Sequence, residues 1–213
     1  MAHNSAARDS IPEAARICLA RKGRRLAYFT VAWNCLEGLA SVISGAFAGS
    51  ISLVGFGIDS FIEVASGSAV LWRFSGSASG AHREKSAVRL IGLCFVALAA
   101  YLTYESARDL LSGTAPERSI PGVVIACVSL VAMPLLSRAK KRVGAQLDSR
   151  AMQADAKQTD FCMWLSAILL AGLLLNALLG WWWADPAAAL LMVPLIAKEG
   201  MESLRGKTCA SCG

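Results

Sequence analysis

Gly57-Ile58-Asp59-Ser60-Phe61-Ile62-Glu63 places two carboxylates four residues apart inside a run, from Ser52 to Trp72, that otherwise reads as bilayer-spanning. On a helix, side chains at i and i+4 lie one above the other, so Asp59 and Glu63 share a face. Ionised groups at membrane depth cost roughly 2.5 to 3.5 kcal/mol each on insertion scales, and they usually face an interior path or site. Two acids one turn apart also repel unless a cation or protons come between them. The blander alternative is that both carboxyl groups only hydrogen-bond neighbouring helices. A second stretch, Asp155-Ala156-Lys157-Gln158-Thr159-Asp160-Phe161-Cys162, repeats the four-residue spacing with Gln158 and Cys162. Two helices that each offer two ligands can supply four donors to one divalent cation.

The composition around these stretches excludes an ordinary soluble domain. The 213 residues are 55% hydrophobic and only 17% charged, with a mean hydropathy of +0.51. The apolar residues gather into runs of the length, about 20 residues, that spans a hydrocarbon core as a helix. Residues 1–25 are polar and basic with no apolar core, so no cleavable signal peptide is expected. The formal net charge of +6 lies in short segments between the apolar runs, which points to membrane topology and not to a nucleic-acid partner. Several of the seven cysteines fall inside apolar runs, where a thiol behaves as a small hydrophobe, so a disulfide framework is not expected.

Taken in order, the chain reads as a polar, basic cytoplasmic lead (1–25), a six-helix transmembrane domain (26–204) and a short Cys-containing cytoplasmic tail (205–213). The predicted spans are Leu26–Phe47, Ser52–Trp72, Val88–Tyr104 and Ile120–Leu136, then a fifth helix from the polar segment at Ser149 to Gly180, and Ala184–Ala197. Lys and Arg crowd the lead, the second–third loop, the stretch Arg138, Lys140, Lys141 and Arg142, and the tail. Short loops rich in Lys and Arg stay cytoplasmic, so six spans with both termini inside satisfy every connection. The Trp181-Trp182-Trp183 corner suits the outer interface, where aromatic rings anchor. The fold class is an all-α integral membrane protein.

With that topology the second and fifth helices run antiparallel, which sets Asp59 level with Cys162 and Glu63 level with Gln158. Asp155 lies on the same stripe one turn nearer the cytoplasm, a candidate metal-entry residue, whereas Asp160 is half a turn away and faces elsewhere. Carboxylates favour hard or borderline cations and a thiolate favours softer ones such as zinc or cadmium, while Gln158 offers only a neutral amide oxygen. Cysteine binds as thiolate, so occupancy should release a proton; a mere packing thiol is the alternative for Cys162. Asn34, Glu37 and Ser41 form a second stripe in the first span. Glu37 and Asn34 are candidates for a proton pathway, against the equal alternative of a buried, neutral, hydrogen-bonded Glu37. Glu105 and Asp185 fall near the outer ends, where solvated or helix-capping roles are expected. Cys209 and Cys212 form a single C-x-x-C, half a tetrahedral site and a candidate accessory metal site. No phosphate-binding glycine loop, zinc-protease motif or nucleophile triad is present in the sequence, so enzyme activity is not expected.

These residues resemble the cation diffusion facilitator family of divalent-metal/proton antiporters over roughly residues 24–205. The resemblance rests on Gly49-Ser50-Ile51-Ser52-Leu53 leading to Asp59-x-x-x-Glu63, on Gln153-Ala154-Asp155-Ala156-x-Gln158-x-x-x-Cys162, and on Ala184-Asp185-Pro186 opening the sixth helix. It implies a central site between helices two and five with Asp59, Glu63, Gln158 and Cys162 at the four ligand positions. The family's fifth-helix pair is usually His and Asp, and Gln158 and Cys162 stand in their places. The histidine-rich tract that some relatives carry in the second–third loop is missing, and a short Cys-bearing tail follows the sixth helix where most members have a soluble domain. The resemblance implies a secondary transporter that exports a divalent transition metal, zinc or cadmium, from the cytoplasm in exchange for protons. It also implies no tightly bound cofactor, a homodimer, and the inner membrane of a bacterium as location. The alternative is a membrane metal sensor or accessory subunit that keeps the site and does not cycle.

Overall fold

The computed structural model describes residues 13–74, 81–113 and 116–205. Among them the chain forms six α-helices and no strand: α1 (Glu13–Ala48), α2 (Ile51–Phe74), α3 (Ala81–Ser112), α4 (Ile120–Gln146), α5 (Arg150–Leu179) and α6 (Ala184–Leu204). Segments of α1, α2, α4 and α5 are each long and apolar enough to cross a membrane. The large apolar side chains left exposed, such as Leu36, Phe47, Val131 and Leu178, are the lipid-facing surface expected of such helices. Cys209, Cys212 and the rest of the tail beyond Arg205 lie outside the described residues.

Local chemistry explains the helix ends. Gly49 takes φ +64° in the tight α1–α2 turn, a left-handed conformation that costs glycine nothing sterically. Ser119 caps α4 by accepting from the Gly122 amide at 3.1 Å, with proline in the first turn, where its missing N–H is harmless. Ser149 caps α5 by accepting from Met152, and Gly180, at φ +67°, ends it. Trp181 and Trp183 stack at the corner that follows, with centroids 5.1 Å apart.

The helices associate most extensively as three pairs, α1 with α2, α3 with α6, and α4 with α5. Small residues permit the close approaches, as is usual where lipid supplies no hydrophobic drive between helices. A Cβ built on Gly38 would stand 3.1 Å from the Gly57 carbonyl oxygen, and one on Gly57 would stand 3.0 Å from that of Gly38. Gly92 and Gly200 do the same for α3 and α6, at 2.9 and 3.1 Å. Less extensive contacts of α2 with α5, and of α5 with α6, join the pairs around a core of Phe56, Phe95, Leu102, Met133, Leu165 and Met192.

One element departs from the sequence reading. The stretch holding Arg138, Lys140, Lys141 and Arg142 is not a loop, because α4 continues to Gln146. Its buried stripe of Met133, Leu136, Ser137, Lys140, Val143 and Gly144 keeps helical spacing to the end, and α5 packs along it. Basic residues within that segment masked the periodicity. The lead is helical from Glu13, in keeping with a partly helical reading of residues 1–25.

Candidate functional site

Asp59 and Glu63 are fully buried on α2, on the side that faces α5. The antiparallel register is visible in three successive contacts. Cys162 neighbours Asp59. Thr159 donates its hydroxyl to Glu63 Oε1 at 2.5 Å. Ser66 donates to Asp155 Oδ1 at 3.3 Å. Cys162 is fully buried and also neighbours Glu63, so the thiol and the two carboxyl groups form one cluster.

Hydrogen bonding within that cluster is incomplete. Neither carboxylate oxygen of Asp59 has a hydrogen-bond partner among the described residues, and neither has Glu63 Oε2 nor Gln158 Nε2. Buried polar atoms are rarely left this way, because the desolvation cost goes uncompensated. Gln158 lies on the buried stripe of α5, but its neighbour Thr159 is the residue that meets Glu63. Among the described residues no three His, Cys, Asp or Glu side chains converge closely enough to hold a metal ion in this conformation.

The structure adds a residue that sequence reasoning missed. Lys140 of α4 is fully buried and places Nζ 2.7 Å from Asp155 Oδ2 and 3.5 Å from Glu63 Oε1. It also donates to Thr159 Oγ1 at 2.7 Å. The approach to Asp155 Oδ2 is a charge contact without hydrogen-bond geometry. Asp155, the residue on the stripe nearest the cytoplasm, is thus one half of a buried ion pair. Asp160 turns away, as its half-turn offset requires, and pairs with Ser137 and with Lys141 on α4.

The stripe on α1 reaches the same region from the other side. Glu37 is buried and accepts from Ser60 Oγ at 3.2 Å, one residue along from Asp59. Asn34 instead donates to the Thr30 carbonyl of its own helix at 3.0 Å, and Ser41 is buried without a partner for its hydroxyl among the described residues. Beside Cys162, Ser166 bonds across to Ser129 of α4 at 3.1 Å. Asp185 proves to be a cap, as its position near a helix end suggests, but it caps another helix. Its carboxylate accepts from the Ile51 amide at 2.9 Å and the Ser50 hydroxyl at 2.6 Å, and also from Ser52.

Residues 28–207 match the cation efflux transmembrane domain. The chain belongs to the cation efflux family. The resemblance drawn from the Asp59/Glu63 and Gln158/Cys162 spacings thus holds, and with it an integral membrane protein built on that family's transmembrane domain. Similar proteins include transmembrane protein 163 of Xenopus laevis, 25% identical over 86% of this chain and 66% of its own length. The cation-efflux pump FieF of Shewanella oneidensis is 30% identical over 47% of this chain and 34% of its own length. An uncharacterized transporter of Synechocystis is 27% identical over 68% of this chain and 51% of its own length. The chain thus spans just under two thirds of the first of these relatives, a third of the second and half of the third.

Proposed function

We propose that this protein exports a divalent transition-metal cation, zinc or cadmium, from the cytoplasm in exchange for protons. The observation that carries the reading is the Asp59 carboxylate, fully buried with neither oxygen in hydrogen-bond geometry with a partner among the described residues, beside Cys162 and Glu63 on the α2–α5 seam. A cation is the natural partner for such oxygens, and the adjacent sulfur tilts the set toward a borderline or soft ion. Gln158 contributes its amide oxygen as the fourth donor. Protons compete for the same carboxylates and thiolate, so a proton gradient can drive the metal without ATP. Glu37, linked through Ser60 to the residue beside Asp59, is the candidate for passing protons. Both termini face the cytoplasm in this reading, since the Lys- and Arg-rich connections then lie inside. The family membership and the cation-efflux pump among the relatives support the reading, and a homodimer in a bacterial inner membrane is its expected setting.

The experiment is metal uptake into inside-out vesicles under a proton gradient, with zinc, cadmium, cobalt, iron and manganese compared and the Asp59→Ala variant alongside. Gradient-dependent uptake of zinc or cadmium, lost in the variant, is the expected result. Stoichiometric binding without uptake would replace transport by the metal-sensor reading.

A further inference from the structure

Lys140 plays no part in the transport scheme above, yet it sits inside the polar cluster. It belongs to α4, on the buried stripe that also carries Ser137 and Val143, and its side chain has no exposure to solvent. Lysine ordinarily keeps its ammonium in water, and burial requires that the charge be matched. Here Asp155, Thr159 and Glu63 surround Nζ at 2.7, 2.7 and 3.5 Å. Thr159 accepts from Lys140 and hands its own proton to Glu63, so the three groups form one connected unit.

An ammonium group is a compact point charge with three donors, and it neutralises carboxylates much as a small cation does. The cluster is consequently divided. Its Glu63–Asp155 half already holds a positive charge, whereas in its Asp59–Cys162 half both Asp59 oxygens lack a hydrogen-bond partner among the described residues and no lysine or arginine pairs with them there. Among the described residues Asp59, Glu63 and Cys162 do not converge at metal-holding distance, and Glu63 Oε1 meets Thr159 and Lys140.

We propose that Lys140 is a tethered competitor of the transported cation: it holds Glu63 until an arriving divalent ion takes Glu63 as a ligand and displaces the ammonium group. Lys140 does not touch the metal in this scheme; it acts through Glu63 and is a positioning residue. The inference rests on the metal-binding part of the proposed function and not on flux.

The test is equilibrium binding of cadmium and of zinc to the purified full chain in detergent, read together with the melting temperature of the metal-free protein. Wild type is compared with Lys140→Gln, which removes the charge and keeps a donor on a side chain one atom shorter, and with Lys140→Arg, which keeps the charge. A purely structural lysine lowers stability and affinity together when removed, whereas a competitor lowers metal-free stability and raises affinity. Lys140→Gln is expected to bind cadmium about tenfold more tightly than wild type, with Lys140→Arg within about threefold of wild type. Equal or weaker binding by folded Lys140→Gln overturns the proposal, and so does equal tightening in both variants. If Lys140→Gln does not fold, the double variant Lys140→Gln/Asp155→Asn removes the second charge, and unchanged affinity there overturns it equally. Tightened binding without flux upholds the competitor and removes only transport. No cadmium or zinc binding by any form overturns both.

Discussion

The carboxylate of Asp185, at the start of α6, holds the backbone amide of Ile51, at the start of α2, at 2.9 Å. The same group accepts from the Ser52 amide at 3.4 Å and from the Ser50 and Ser52 hydroxyls, so a single side chain takes two of the free amides of another helix's first turn. A negative charge there also suits the positive end of the helix dipole.

Asp185→Ala should therefore lower stability by about 1–3 kcal/mol, the usual cost of stranding buried donors. Denaturant or thermal unfolding in detergent measures the loss. Stability equal to wild type would show that water replaces the carboxylate.

Contact between α3 and α6 depends on the absence of side chains at Gly92 and Gly200. A Cβ on Gly200 would already stand 2.9 Å from Phe95 Cβ. Gly200→Leu is expected to push the pair apart and cost about 1–3 kcal/mol, as overpacked cores do. The check is the melting temperature, together with cross-linking of cysteines placed across the pair.

Asp59→Ala is expected to reduce metal uptake to the level of protein-free vesicles while membrane insertion and expression stay at wild-type levels. The oxygens it removes lack partners among the described residues, so little folding stability is at stake. Flux assays in proteoliposomes, with insertion scored by protease protection, separate the two effects. Undiminished flux would take Asp59 out of the mechanism.

Cys162→Asp exchanges a sulfur donor for an oxygen donor at one position of the cluster. The ratio of cadmium to zinc uptake should fall, because softer cations favour sulfur. Competition between the two metals in a single flux assay gives that ratio directly, and an unaltered ratio would mean the thiol only packs.

Much of this arrangement was legible before any coordinates. Apolar runs marked six helices, and the topology set by the Lys and Arg distribution foretold an antiparallel register of α2 and α5 that the Ser66–Asp155 and Thr159–Glu63 contacts now show. The half-turn offset of Asp160 also predicted that it would leave the stripe, and it pairs with α4 instead. Lys140 was hidden for a physical reason. Sitting among Arg138, Lys141 and Arg142, it reads as loop charge, and only the continued spacing of Leu136, Ser137, Val143 and Gly144 reveals a buried face. Thr159 escaped notice because a helical threonine most simply bonds its own backbone, which it also does, to Asp155 at 3.1 Å.

The pairing of helices gives the lysine a further consequence. Lys140 and Asp155 belong to the same tightly packed pair, α4 with α5, and lie 2.7 Å apart, whereas Glu63 belongs to α2 and is reached across the seam at 3.5 Å. Parting the α1–α2 pair from the α4–α5 pair would leave Lys140 and Asp155 mutually neutralised on one wall. The opposite wall would carry Asp59 and Glu63 with no counter-charge. In the transport reading proposed above, an opening along this seam would therefore gather the unmatched negative charge on one wall, and the movement itself would enlarge the acidic surface that a cation meets.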